Sequence, residues 1–150
     1  MLNSDFRDML SALLDERADF LLVGAYAMAV YGIPRATGDI DLWIRPSPEN
    51  AARVIAALQR FGAPLFDLLE NDLQMPDTVF QIGLAPRRID LLTSIDGVDF
   101  EAAWRGRTET VIEGLAICVI GRGHLIKNKR AVGRPKDMAD VAWLESDSEM

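Results

Sequence analysis

Leu22-Val23-Gly24-Ala25-Tyr26-Ala27, followed downstream by Arg35-Ala36-Thr37-Gly38-Asp39-Ile40-Asp41-Leu42, is the stretch on which the reading of this chain turns. Phe20-Leu21-Leu22-Val23 is a short apolar run that ends at Gly24, which predicts a buried strand closed by a glycine turn. Ala25 to Tyr31 then reads as a compact helix, stopped by Gly32 and Pro34. A strand-to-helix junction at glycine lets backbone N–H groups face a phosphate unobstructed, although a plain tight turn would look the same. A second strand is expected over 38–44. Side chains alternate across a strand, so Asp39 and Asp41 share one face while Ile40, Leu42 and Ile44 share the other.

The apolar face anchors that strand and holds two carboxylates close together. Their mutual repulsion is relieved by a divalent cation, and magnesium suits hard oxygen ligands that leave positions for waters and phosphates. The spacing alone is weak, since Glu70/Asp72, Asp99/Glu101, Glu145/Asp147 and Asp147/Glu149 repeat it as ordinary surface charge. What distinguishes Asp39/Asp41 is the apolar strand around them and the glycine turn upstream. A third acid, Asp90, lies within Arg88-Ile89-Asp90-Leu91-Leu92. Burial there is costly unless the carboxylate is paired, hydrogen-bonded or metal-bound. The plainer alternative is an edge-strand aspartate paired with Arg87 or Arg88.

The rest of the chain supplies the frame. Ser4 to Arg17 has apolar residues at helical spacing, with Ser4 as the expected N-cap. Glu49 to Phe61 is an amphipathic helix with Pro48 in its first turn. The region 65–76 reads as a short helix or irregular loop. Strands are expected over Val79 to Leu84, Arg88 to Thr93, and twice within Val111 to Ile120. Helices are expected over Gly123 to Val132 and Pro135 to Glu145, divided by Gly133. This order predicts an α+β domain spanning 1–150: a mixed sheet covered mainly on one face, with a core over about 1–120 and a helical extension over about 121–150.

Composition narrows the chemistry. Of 150 residues, 49% are apolar and 26% charged, an ordinary globular balance. Cys118 is the lone cysteine and His124 the lone histidine, which excludes an internal disulfide and any cysteine- or histidine-rich zinc site. Early acids interrupt any secretory pattern, and the apolar stretch around Phe20 to Val30 is too short to span a bilayer, so a soluble, cytoplasmic chain is expected. The net charge of −7 disfavours broad nucleic-acid binding. Yet Arg122, Lys127, Lys129, Arg130, Arg134 and Lys136 form a segment without an acid until Asp137, which suits a small anionic ligand.

Together these residues resemble the polymerase-beta-like nucleotidyltransferase superfamily. Its signature is an apolar strand, Gly-Gly or Gly-Ser, about a dozen residues, then Asp-x-Asp or Asp-x-Glu in a second apolar strand. Gly24-Ala25 and Asp39-Ile40-Asp41 follow that order, and the Arg35-x-Thr37-x-Asp39 string is similar to small bacterial branches, the abortive-infection toxin and aminoglycoside nucleotidyltransferases. The resemblance is most specific over 20–45. Lys127-Asn128-Lys129 and Arg134-Pro135-Lys136-Asp137 resemble the C-terminal helical part of the toxin branch. Ala25 departs from the motif's serine and removes a hydroxyl contact to phosphate.

The resemblance implies a polymerase-beta palm-like core and transfer of a nucleoside monophosphate from a nucleoside triphosphate, ATP among them, to a hydroxyl. The acceptor could be a tRNA 3′ end, a protein or a small molecule, and a cognate antitoxin is an implied partner. It implies two magnesium ions, about 3.5–4 Å apart, on Asp39, Asp41 and Asp90. Gly24 and Ala25 would hold phosphates through backbone N–H groups, with Arg35, Thr37, Lys127, Lys129 and Lys136 as further nucleotide contacts and Lys129 foremost. Asp137 and Asp140 are left as favourable first-turn charges. The alternative reading is a non-catalytic nucleotide-binding or antitoxin-like protein that retains the fold.

Overall fold

The computed structural model describes residues 2–33, 38–84 and 87–147. Its elements run α1 (Ser4–Asp15), β1 (Phe20–Val23), α2 (Gly24–Val30), β2 (Ile40–Ile44), α3 (Pro48–Phe61), a 3-10 turn (Glu70–Gln74), β3 (Val79–Ile82), β4 (Ile89–Leu92), α4 (Phe100–Arg105), β5 (Thr108–Ile112), β6 (Leu115–Val119), α5 (Arg122–Val132) and α6 (Pro135–Asp147). The strands form a six-stranded sheet in the order β3-β4-β2-β1-β6-β5. It is mixed: β1 runs antiparallel to β2 and parallel to β6, while β2 runs parallel to β4.

β1 is buried along its whole length because it lies at the centre of the sheet. Ile40, Leu42 and Ile44 of β2 are also buried, as strand alternation requires of the core face. α1 and α3 pack against each other, contributing Phe6, Met9, Leu10, Leu13, Val54 and Leu58 to the core. Asn50 ties this layer to the strands. Its Oδ1 accepts from the Asp19 N–H at 2.6 Å, while its Nδ2 donates to the Asp19 and Arg45 carbonyls at 2.9 and 3.0 Å.

Three expectations change. The N-cap of α1 is Asn3, whose Oδ1 accepts from the Phe6 N–H at 2.9 Å, and Ser4 is the first helical residue. Helix α4 was not foreseen, since six residues are too few to show a helical period; Asp99 caps it by accepting from the Ala102 N–H. Helical cover also reaches the second face of the sheet. Trp43, on the Asp41 side of β2, packs edge-on against Phe100 of α4, with ring centroids 5.0 Å apart. One end of that face is therefore closed by aromatics and the end carrying Asp41 is left open. Among the described residues, no helix is long and apolar enough to cross a membrane.

Candidate active site

The open end is a cleft of 410 Å³ lined by Gly24, Ala25, Met28, Asp39, Asp41, Arg88, Asp90, Lys129, Arg134, Lys136 and Asp140. Its floor is the sheet. β2 and β4 pair in parallel with Asp41 opposite Asp90, so residues distant in sequence become lateral neighbours on one face. Their carboxyl groups repel one another when both are charged. Burial, reinforced by Asp90 and then Asp39, raises the Asp41 carboxyl from 3.8 to about 6.

Gly24 borders the pair. It follows Val23, which faces Asp41 across the β1–β2 ladder, and adopts φ +68°. A Cβ at this position would lie 2.3 Å from Asp41 Oδ2. Glycine is thus required twice, by backbone conformation and by the approach of the carboxylate.

Asp90 is buried and belongs to an interior strand between β3 and β2, not to an edge. The Arg88 pairing weighed from sequence is nonetheless present. Arg88 Nε donates to Asp90 Oδ1 at 2.7 Å and Nη2 to Oδ2 at 3.1 Å. The same Nη2 lies 3.3 Å from Asp39 Oδ2, and the Arg88 backbone N–H donates to Asp39 Oδ1 at 3.1 Å.

The wall comes from α5 and α6. Lys129 Nζ is 3.0 Å from Asp140 Oδ2 and 3.6 Å from Asp137 Oδ1. Asp137 is buried and also accepts from Arg134 Nε at 2.7 Å and from the Arg134 backbone N–H at 3.2 Å. These contacts, the Arg134 hydrogen bond first, hold its carboxyl below the usual range. Asp137 so fixes the start of α6 and sets Lys129 and Arg134 facing the cleft.

Of the sequence-predicted residues, Gly24, Ala25, Asp39, Asp41, Asp90, Lys129 and Lys136 line this one cleft, whereas Lys127 does not. Two residues apart on α5, Lys127 and Lys129 point about 200° apart, so only one can face the cleft. Arg35 and Thr37 lie outside the described residues. Sequence reasoning missed Arg88, Arg134 and Asp140 as lining residues. The usable signal for Asp140 was its i,i+3 spacing from Asp137, which puts both acids on one side of α6, toward Lys129.

The donor set suits a hard divalent cation. Asp39, Asp41 and Asp90 offer only carboxylate oxygens, and the Asp41–Asp90 pair is a site where added positive charge is favourable. Among the described residues, however, no three ligating side chains are drawn closely enough to form a closed metal cage. Arg88 stands between Asp39 and Asp90 instead.

No protein-family model matches the sequence, and no curated protein matches it. Solved structures do. The lincosamide antibiotic adenylyltransferase LnuA, with lincomycin bound, superposes with a TM-score of 0.63 over 98% of this chain and 98% of its own, at 16% identity. The chain has the nucleotidyltransferase fold. A candidate nucleotidyltransferase from Thermotoga maritima gives a TM-score of 0.61 at 15% identity, covering 94% of this chain and 91% of that one. The antibiotic-resistance factor ANT(2'')-Ia gives 0.62 at 17% identity, covering 98% and 83%.

Proposed function

We propose that this protein is a nucleotidyltransferase that moves a nucleoside monophosphate from a nucleoside triphosphate to an acceptor hydroxyl. The observation that carries this reading is the meeting of three carboxylates and a cationic wall in one cleft. Asp39, Asp41 and Asp90 line the sheet floor with Arg88 among them, and Lys129, Arg134 and Lys136 line the helical wall with Asp140. Metal and phosphate require those two surfaces side by side, and the fold shared with known nucleotidyltransferases agrees with them.

Asp39, Asp41 and Asp90 would hold magnesium, which supplies charge neutralisation on the triphosphate and makes the acceptor hydroxyl more acidic. Gly24 admits the phosphates close to the floor, and the first N–H groups of α2 at Gly24 and Ala25, which have no intrahelical acceptor, can donate to them. Lys129, Arg134 and Lys136 neutralise the departing pyrophosphate. Asp90 would receive the acceptor proton. Arg35 and Thr37 remain proposed orienting residues on the strength of the motif alone.

For the acceptor, the sequence resemblance favours a tRNA 3′ end or a protein, with the chain as toxin of a toxin–antitoxin pair in the cytoplasm. A small-molecule hydroxyl is the second reading, favoured by neighbours that include an antibiotic adenylyltransferase and ANT(2'')-Ia bound to adenylyl-2''-tobramycin. The test incubates the protein with each α-labelled triphosphate and magnesium against pools of tRNA, cell protein and hydroxylated antibiotics. Label on one pool, lost in Asp39→Ala/Asp41→Ala, supports the reading and names the acceptor. Magnesium-dependent nucleotide binding without label on any pool would favour the non-catalytic alternative.

A further inference from the structure

The carboxylate cluster already holds a cation, and it is one of the protein's own. Arg88 immediately precedes β4, two residues before Asp90, hence on the same face of the sheet. Its guanidinium takes both Asp90 oxygens in a two-toothed grip and reaches Asp39 with the same Nη2. The fork takes one lone pair of each Asp90 oxygen and sets a positive charge against the cluster, so guanidinium and metal repel one another and compete for the same carboxylates. The competition is close to direct, because Asp39 and Asp90, both assigned to the metal, are the two residues that Arg88 bridges.

The backbone of Arg88 is fixed next to β4, an interior strand, and its N–H is bound to Asp39. Its side chain is 29% exposed, so the guanidinium can swing without any movement of the sheet. The fork that fits a carboxylate also fits a phosphate. Of the cations lining the cleft, Lys129, Arg134 and Lys136 come from α5, α6 and the turn between them, whereas Arg88 comes from the sheet beside the carboxylates. It is therefore the cation nearest to where the reacting phosphate would meet the floor.

We propose that Arg88 is an exchangeable internal counter-ion: it sits on Asp90 and Asp39 while the cleft is empty, and moves to the triphosphate when metal-bound nucleotide enters. Free divalent metal then binds poorly, and metal and nucleotide bind as one unit, because nucleotide gives the displaced guanidinium a new anionic partner. This rests on the nucleotidyltransferase reading, and the experiment separates the two.

Manganese alone is titrated into nucleotide-free protein and followed by loss of the free-ion EPR signal, for wild type, Arg88→Gln, Arg88→Lys and Asp39→Ala/Asp41→Ala. Arg88→Gln is expected to bind manganese at least about tenfold more tightly than wild type. Arg88→Lys keeps the charge without the fork and is expected to fall between them. At saturating manganese, Arg88→Gln should also bind a fluorescent non-hydrolysable ATP analogue roughly tenfold more weakly, since the phosphate partner is gone. Manganese affinity equal to or below wild type in both Arg88 variants overturns the exchange while leaving the metal assignment standing. Manganese binding that survives in Asp39→Ala/Asp41→Ala overturns the metal assignment itself, and absence of binding in every protein overturns both. Circular dichroism of each metal-free variant checks folding, and Arg88→Lys carries the comparison if Arg88→Gln does not fold.

Discussion

Gly24 and Asp41 sit so close that one added methyl group at residue 24 would lie 2.3 Å from Asp41 Oδ2. The glycine turn and the carboxylate strand are thus two halves of one contact. Gly24→Ala should cost about 1–2 kcal/mol through its left-handed backbone alone. It should also displace the Asp41 carboxylate from its position between Gly24 and Asp90, so nucleotidyl transfer falls by about 100-fold or more while the protein still folds. A thermal melt and a transfer assay on the same preparation check both parts. Normal transfer by Gly24→Ala would refute the contact's role.

Asp41 yields a pH prediction. Its carboxyl is raised from 3.8 to about 6 by burial and by Asp90 and Asp39. Between those values the folded chain keeps a proton that the unfolded chain has released, so the Asp41 contribution to stability falls as pH rises through about 4 to 6. Above pH 6 the loss is on the order of 3 kcal/mol. In metal-free buffer Asp41→Asn should therefore be more stable than wild type at pH 8 and similar to it near pH 4. Magnesium should raise the melting temperature of wild type more than that of Asp41→Asn. Denaturation curves at the two pH values, with and without magnesium, decide the matter.

Lys129 is bound between Asp137 and Asp140, both buried. Lys129→Met leaves Asp140 without that cation and should destabilise the protein by about 1–3 kcal/mol. Because Lys129 also lines the cleft, KM for the triphosphate should rise about tenfold. Lys127→Met, on the other side of α5, should change neither quantity appreciably. Equal effects of the two substitutions would remove Lys129 from the phosphate wall.

Asn50 offers a control away from the chemistry. It is 1% exposed and joins Asp19 and Arg45 by three hydrogen bonds. Asn50→Ala leaves the Asp19 N–H without its acceptor, while the Asp19 and Arg45 carbonyls keep the Arg45 and Ser47 N–H groups, and should cost about 1–3 kcal/mol. Activity per folded molecule should stay close to wild type at low temperature. Urea denaturation and active-site titration measure the two separately.

The amino-acid sequence determined what depends on neighbouring residues. Phe20–Val23 followed by Gly24, the alternation around Asp39-Ile40-Asp41 and the amphipathic Pro48–Phe61 helix carry their periods in the local chain, and the strand and helices lie where those periods put them. Helix α4 escaped because six residues do not complete a readable pattern, whereas the 3-10 turn at Glu70–Gln74 lies within the region read as a short helix or irregular loop. Which residues meet was settled elsewhere. The parallel β2–β4 register places Asp90 beside Asp41, the packing of α5 on α6 turns Lys129 inward, and a side chain two residues from Asp90 fills the carboxylate cluster. Such juxtapositions arise from long-range pairing and helix rotation, for which local periodicity holds no information. The sequence therefore singled out the carboxylates and offered Arg88 as a partner of Asp90, and the tertiary structure decided that Asp41 and Asp39 join the same cluster.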